Sequence, residues 1–520
     1  MSLWETLDRT ARSHPSSPAV SCGEISYDYD ELARRSRTLA ATLSDLGIGK
    51  GDRVAILHRN CHRFLETYYA CAYLGAVLVP LNIRLSPEDF RYILEDSASR
   101  LLICQLEFYD TISGIRDGTG KLERIIWTDV PPDFQGGSVD LSYDRLVDGG
   151  VEAWPEPAPV DPADPAQLYY TSGTTGRPKG VVLTHCNNST HAEWAIRELE
   201  IRGSDRWLHV SPMFHLADAW AVWAITRVGG LHVMDPEFRP ESALALIEAK
   251  RVTLSNFIPT MLNLMVNHPA IGRHDLSSLR VVLSGGASIA PETVRKVMDR
   301  FGCNFIQTYG MTETSPFLTV SILKPHLRNL PMEVRFRFMV TTGRPFGEIE
   351  LKVLDDDWQE VEPDGESVGE IWVRGPTVTP GYWNRPDLTS EKIVKGGWLR
   401  TGDMAVMNSE GYVTIVDRMD DVIITGGENV YSIEVENVLY IHPDVLEAAV
   451  VGIPDDTWGE AVCAAVVPRA GRNIDENAIR DHCREMLASF KVPKNVAFLD
   501  ALPKTGSGKI SKKDLRSQLC

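Results

Sequence analysis

The residues best suited to chemistry stand together at 169–185, YYTSGTTGRPKGVVLTH. Positions 171–180 hold three glycines (Gly173, Gly176, Gly180), four hydroxyl side chains (Thr171, Ser172, Thr174, Thr175) and Lys179. Glycine lets the backbone approach a ligand closely, and exposed N–H groups and hydroxyls then form a nest for phosphate oxygens, with the ammonium as counter-charge. The GxxxxGK[ST] phosphate loop is excluded, because Pro178 stands where that pattern requires glycine. Taken alone, the stretch says phosphate and nothing about the reaction.

Six further segments follow in order: PMFH (212–215), SGGA (284–287), QTYGMTET (307–314), WLRTGD (398–403), DRMDDVIITGGENVYSIEVE (417–436) and PKTGSGKI (503–510). In isolation Glu313 reads as a salt-bridged carboxylate and Asp403 as the aspartate of a tight turn. Lys509 reads as part of a solvated tail, and His215 as a packed histidine near the surface. Together with the first loop, the set resembles the adenylate-forming superfamily of acyl-CoA synthetases, peptide-synthetase adenylation domains and firefly luciferases. The resemblance spans essentially the whole chain.

That resemblance implies ATP, Mg²⁺ and CoA as the small molecules handled. In the reaction it implies, a carboxylate attacks the α-phosphate of ATP, so two anions meet and need cations in the transition state. Glu313 and Thr174 would hold the metal, since Mg²⁺ takes one or two protein oxygens and keeps phosphate and water as its other ligands. The nucleotide set is Thr171, Ser172, Gly173, Thr174, Thr175, Gly176, Lys179, Gly285, Gly286, Ala287, Gln307, Thr308, Tyr309, Gly310, Met311, Thr312, Asp403, Arg418 and Lys509. Within it, Asp403 would accept from both ribose hydroxyls, and Lys509 would bridge the acyl carboxylate and the α-phosphate. Lys509, Thr174, Glu313 and His215 form the catalytic set, with His215 a gate between acyl pocket and thiol tunnel. The acyl pocket is expected from His215, Trp220, Phe257, Gly286, Gly310 and Met311, the aromatic members reading equally well as plain core. Asp420 is the expected hinge, and Gly426, Gly427 and Glu428 the loop that admits CoA.

The elements needed to position these groups follow from apolar spacing. YDELARRSRTLAATLSDLG repeats at helical spacing and is followed by the short strand RVAIL, and FLETYYACAYLGAVLVPLN repeats the alternation. Helix followed by buried strand, several times over, predicts an α/β sheet with parallel strands. EPAPVDPADPAQ (156–167) reads as a surface connection, RVVLSGGA as a strand opening into a glycine turn, and 345–416 as a β-rich subdomain of antiparallel strands. The expected division is an N-terminal adenylation domain of α/β subdomains plus the β-rich piece (1–417), a hinge (418–422), and a small mobile α+β lid (423–520).

Composition narrows the alternatives. A chain of 520 residues, 43% hydrophobic, predicts two to four cores and excludes disorder and small disulfide scaffolds. With 53 Lys plus Arg against 71 Asp plus Glu, the net charge of −18 opposes non-specific nucleic-acid binding and requires any anion to be held locally. Nine cysteines, ten or more residues apart, form no CxxC pair. These features, with no membrane span and an acidic amino-terminal stretch, predict a cytoplasmic enzyme that takes small molecules as partners; a homodimer is compatible with them. Leu216, near where amino-acid-activating relatives carry aspartate, disfavours an amino acid. The insertion at 322–340 resembles one in fatty-acyl ligases and points to a medium- or long-chain fatty acid. An aryl, alicyclic or thioether acid, a carrier-protein acceptor, a luciferase-like oxygenase and a non-catalytic nucleotide sensor are the alternatives.

Overall fold

The computed structural model describes residues 2–131, 133–134, 137, 140–151, 153–171, 177–472, 474–505 and 509–520. Four sheets among these residues organise the chain, and the first two are of the expected α/β kind. A seven-stranded sheet runs in the order Asp140–Ser142, Arg124–Thr128, Leu101–Gln105, Arg53–Leu57, Val77–Pro80, Pro165–Thr171, Lys179–Thr184. Its pairs are parallel except the last, so the strand carrying Lys179 folds back along the strand that leads into the glycine-rich loop. The centre of a nine-stranded sheet is parallel as well, through Asn304–Gly310, Val281–Gly285, Leu254–Phe257, Arg206–His209 and Leu231–Met234.

Strand alternation divides the packing. Ile56 and Ile103 of the first sheet, with Trp207, Leu254 and Leu283 of the second, belong to one shared core, which also takes in helices Tyr29–Asp45, His62–Leu74 and Ala221–Val228. Their strand neighbours turn the other way: Leu57 and Leu102 into one flanking core, Leu208 and Phe257 into another. Helix His62–Leu74 stops at Gly75, whose φ of 65° is the left-handed cap that lets the chain enter strand Val77–Pro80.

Residues 350–418 form the expected antiparallel sheet, in which Asp403 pairs with Arg418 across neighbouring strands. Strand Val413–Arg418 closes that sheet. Strand Ile423–Thr425 opens the fourth, which is built with Glu428–Val430, Val445–Asp455, Gly459–Pro468 and Asn495–Phe498, and is covered by helices Ser432–Ile441 and Glu476–Met486. Among the described residues no helix is long and apolar enough to cross a membrane.

One sequence expectation needs correction. The connection expected through residue 167 ends sooner, because strand Pro165–Thr171 begins where Gln167 gains Leu78 and Leu183 as partners. The insertion 322–340 is a turn at Pro325–Leu327 followed by helix Met332–Met339, which docks Phe336 into a flanking core beneath Arg295.

Gly310 ties fold to site. It ends strand Asn304–Gly310, and an added Cβ would lie 1.8 Å from the Pro316 carbonyl oxygen and 3.0 Å from the Leu318 nitrogen. Both obstacles are backbone and cannot move aside as a side chain could. Gly310→Ala should therefore cost about 1–3 kcal/mol, in the range of overpacked sites. A lowered midpoint in a thermal melt checks this, and an unchanged midpoint would refute the crowding.

Candidate active site

The turns that follow the parallel strands at 285–287 and 310–314 converge with Lys179 on one region, as expected at the carboxyl ends of such strands. Thr171, the last residue of its strand, pairs with Lys179. Ser172, Gly173, Thr174, Thr175 and Gly176 lie outside the described residues. The strand into the loop is held from below: the Tyr169 and Tyr68 hydroxyls meet at 2.5 Å, and Tyr68 donates onward to the Met213 carbonyl at 3.0 Å. The glycine-rich strand and the PMFH turn are thereby fixed to each other.

Glu313 sits in the short turn Thr312–Thr314 with only 5% of its side chain exposed. Lys179 Nζ donates to its Oε1 at 3.1 Å, and the Tyr382 hydroxyl donates to the same oxygen at 2.8 Å. The Lys179 ammonium also bonds the Tyr382 hydroxyl at 3.2 Å and lies 4.4 Å from its ring centroid. Sequence reasoning missed Tyr382. Its signal was the run GYWN, a glycine turn followed by two aromatics, which carries no group charged at neutral pH to attract attention.

A second cluster forms around Asp403. Tyr309 donates its hydroxyl to Oδ2 at 2.6 Å, and Arg418 Nε approaches Oδ1 at 3.2 Å. Burial raises the Asp403 carboxyl above its ordinary range, partly offset by the Arg418 charge and the Tyr309 hydrogen bond. The Arg418 side chain is 59% exposed, so its charge is partly screened by solvent while the carboxylate it faces is buried.

Lys509 comes from the far end of the chain and meets these groups. A Cβ built on Gly286 would lie 3.1 Å from Lys509 Cε and 3.5 Å from Nζ, so the lysine covers a position that only glycine leaves open. Gly286 also has φ of +85°, a conformation that other residues avoid. Burial pushes the Lys509 ammonium down to about 8; the Arg418 charge adds to the effect and Asp403 opposes it.

The remaining expected residues sort as follows. Gly285 lies against Thr308, whose hydroxyl donates to the Ser284 carbonyl, while Ala287 is exposed and Met311 and Thr312 are half-buried. Among the described residues, Thr171 Oγ1 and Gln307 Oε1 are buried without a hydrogen-bond partner, a deficiency that a bound ligand could relieve. His215 caps the short helix Leu216–Ala219, its carbonyl accepting from Asp218 and Ala219, with Phe214 against its ring.

Trp220 and Phe257 are not brought together. Trp220 packs in the shared core against Trp207, His191 and Phe317, and Phe257 is in the core flanking the same sheet. Gly426 and Gly427 form a two-residue hairpin turn with φ of +61° and +86°, leading into the exposed Glu428. That hairpin packs against Trp458 of its own sheet, so it is the lysine loop that is docked at the cleft.

Residues 7–383 match the family described as AMP-binding enzyme, and 434–509 match the AMP-binding enzyme C-terminal domain. A feruloyl-CoA synthase of Amycolatopsis is 39% identical, covering 98% of this chain and 97% of the relative. A long-chain-fatty-acid–CoA ligase of Thermus thermophilus is 35% identical, covering 100% and 95%. The crystal structure of the anthranilate CoA ligase AuaEII in complex with anthranoyl-AMP superposes with a TM-score of 0.91 at 27% identity, covering 100% of this chain and 97% of that one. The chain belongs to the AMP-binding enzyme family. As such it is an acid–thiol ligase of the AMP-forming acyl-CoA synthetase type.

The half-buried lysine makes the seating of the C-terminal segment on the large body of this AMP-binding enzyme depend on pH. Lys509 binds its proton less tightly when docked than when free in solvent, where an ordinary lysine titrates near 10.5. Below pH 8 both states are protonated and the docked one carries the full desolvation penalty; as pH rises from about 8 the penalty is progressively relieved, so docking strengthens. Energy transfer between labels on the lid and the large body, in ATP-free protein, should therefore increase from pH 7 to 10. Lys509→Met should flatten the profile, and a fall in transfer with rising pH in the unsubstituted protein would refute the account.

Proposed function

We propose that the chain joins an apolar carboxylic acid to CoA in two half-reactions, with residues 1–417 as adenylation domain, 418–422 as hinge and 423–520 as moving lid. The observation that carries this reading is Lys509 seated over Gly286, which brings a cation of the PKTGSGKI segment to the SGGA turn. In the first half-reaction, the backbone and hydroxyls of 171–176 and the Lys179 ammonium hold the triphosphate. The loops 284–287 and 307–312 hold adenine, and Asp403 with Arg418 holds the ribose. Lys509 draws the substrate carboxylate and the α-phosphate together and offsets their charge as the carboxylate oxygen bonds to phosphorus and pyrophosphate leaves.

Mg²⁺ suits this site: Glu313 is a buried hard-oxygen donor, and phosphate and water would supply most of the other ligands. Once bound there with Glu313 and Thr174, it would supply further neutralisation of the phosphate charge. The second half-reaction needs the other face of the lid. Rotation at the hinge, centred on Asp420, withdraws Lys509 and presents Gly426, Gly427 and Glu428 to the CoA pantetheine. The thiolate attacks the acyl carbon and AMP leaves.

For the acid, we infer a compact apolar substrate of the aryl class, ahead of a medium- or long-chain fatty acid. The fatty-acid expectation rests on the 322–340 insertion, which is a helix packed on its own core. Trp220 and Phe257 are already filled around by other side chains, leaving little for a long tail to occupy without moving them. The feruloyl-CoA relative and the anthranoyl-AMP complex point the same way. AMP release with CoA across aryl, alicyclic, thioether, short-, medium- and long-chain acids tests this, and preference for a long-chain acid would overturn the aryl assignment. Lys509→Ala should lower acid-dependent ATP–pyrophosphate exchange about 100- to 1,000-fold while sparing thioester formation from supplied acyl-adenylate. Equal loss of both steps would contradict the division of labour.

A further inference from the structure

Three separate elements converge on a single carboxylate oxygen. Glu313 comes from the turn after strand Asn304–Gly310, Lys179 from the first position of its strand, and Tyr382 from the loop that follows strand Val368–Arg374. Tyr382 is held rigidly. The chain around it bonds the edge of the Lys179 strand, through Trp383 N–H to the Gly180 carbonyl at 2.8 Å and Val182 N–H to the Gly381 carbonyl at 3.1 Å. The Glu313 turn is tied to the same loop, its carbonyl accepting from Thr379 N–H at 2.8 Å. The Tyr382 hydroxyl is thereby aimed at Glu313 Oε1, to which it donates at 2.8 Å.

Lys179 differs from Tyr382 in one respect. Its ammonium sits at the end of a four-carbon stem that can swing, whereas the tyrosine hydroxyl is fixed by ring and backbone. A carboxylate with 5% exposure cannot stand uncompensated, and the ammonium, 20% exposed, is its counter-ion. Divalent metal at Glu313 and this ammonium therefore compete for one buried negative charge.

We propose that Lys179 is a stand-in cation that occupies the metal's place at Glu313 until ATP arrives, and that Tyr382 is the positioning residue that keeps the carboxylate aimed while the cations exchange. The triphosphate draws the ammonium away, the carboxylate is left with the Tyr382 hydrogen bond alone, and metal entry becomes favourable only with nucleotide present. This orders binding, ATP before or together with metal, and keeps free divalent cations out of the resting site. The inference rests on the assignment of Glu313 as the metal-holding carboxylate.

Titration of Mn²⁺ alone into the nucleotide-free full chain, followed by electron paramagnetic resonance, tests it. The unsubstituted protein should bind Mn²⁺ weakly, and Lys179→Met about tenfold more tightly, since a competing cation has been removed. Adding Glu313→Gln to Lys179→Met should return binding to the weak value. Adding Tyr382→Phe instead should reduce the gain about threefold by loosening the carboxylate. Unchanged or weaker Mn²⁺ binding in Lys179→Met would overturn the stand-in role, as would a gain that survives Glu313→Gln. Full retention of the gain in Lys179→Met with Tyr382→Phe would overturn the role of Tyr382. Circular dichroism confirms that each variant is folded, and Lys179→Arg, which keeps the charge, should stay weak. Acid-dependent ATP–pyrophosphate exchange by the unsubstituted protein is measured alongside. Its absence with every acid would count against the proposed reaction, while the Mn²⁺ result still decides the exchange.

Discussion

A desolvated ammonium is the constraint on which the rest depends. Lys509 is half-buried against Gly286, and a desolvated cation is tolerated only where its surroundings supply compensating negative charge and leave it room. Room comes from the missing side chain at 286. Charge comes in part from Asp403, itself held by Tyr309 and Arg418, with Arg418 working against the lysine. Such a site is completed by an anionic ligand. The cleft is thus built in deficit of negative charge, although the chain as a whole carries a net −18.

The same economy governs the segment at which the lid would turn. Asp417, the last acid of the third sheet, accepts from both the N–H (2.6 Å) and the hydroxyl (2.7 Å) of Ser432, at the start of the first lid helix. Lys512 contacts the Ser432 hydroxyl and pairs with Glu436 at 2.8 Å, and Arg516 pairs with Asp421 at 2.6 Å. The strand end, the turn after it and both ends of the C-terminal segment are therefore clasped by ion pairs and hydrogen bonds. Polar contacts of this kind can exchange for water or for one another, which would suit the rotation proposed at this junction. The Ser432 backbone N–H is in use here, and a proline at this position could not donate it.

Much of the site was legible before any fold was known, because its chemistry is concentrated in short segments. A strand followed by glycines, hydroxyls and a lysine announces phosphate, and Glu313, Asp403 and Lys509 acquire meaning from their order along the chain. The sheet classes were legible for a related reason: buried parallel strands are continuous apolar runs, whereas the antiparallel piece at 350–418 alternates. Tyr382 was not legible. A tyrosine becomes a positioning group only when another element delivers a carboxylate to its hydroxyl, and no local pattern records that event. That Trp220 and Phe257 lie in different cores was not legible for a related reason, since spacing cannot tell which face of a sheet a side chain will take once several strands have been aligned.

The sequence by itself determined the ordered set of binding segments, the alternation that builds the sheets and the family to which they point, because each depends on residues near one another in the chain. Only the tertiary structure decided that Lys509 lies over Gly286, that Lys179 and Tyr382 share one oxygen of Glu313, and that Asp417 holds Ser432 across the junction. Those pairings are set by how separately folded layers pack. Their energies come from burial and charge compensation between groups as many as 223 positions apart, as Gly286 and Lys509 are.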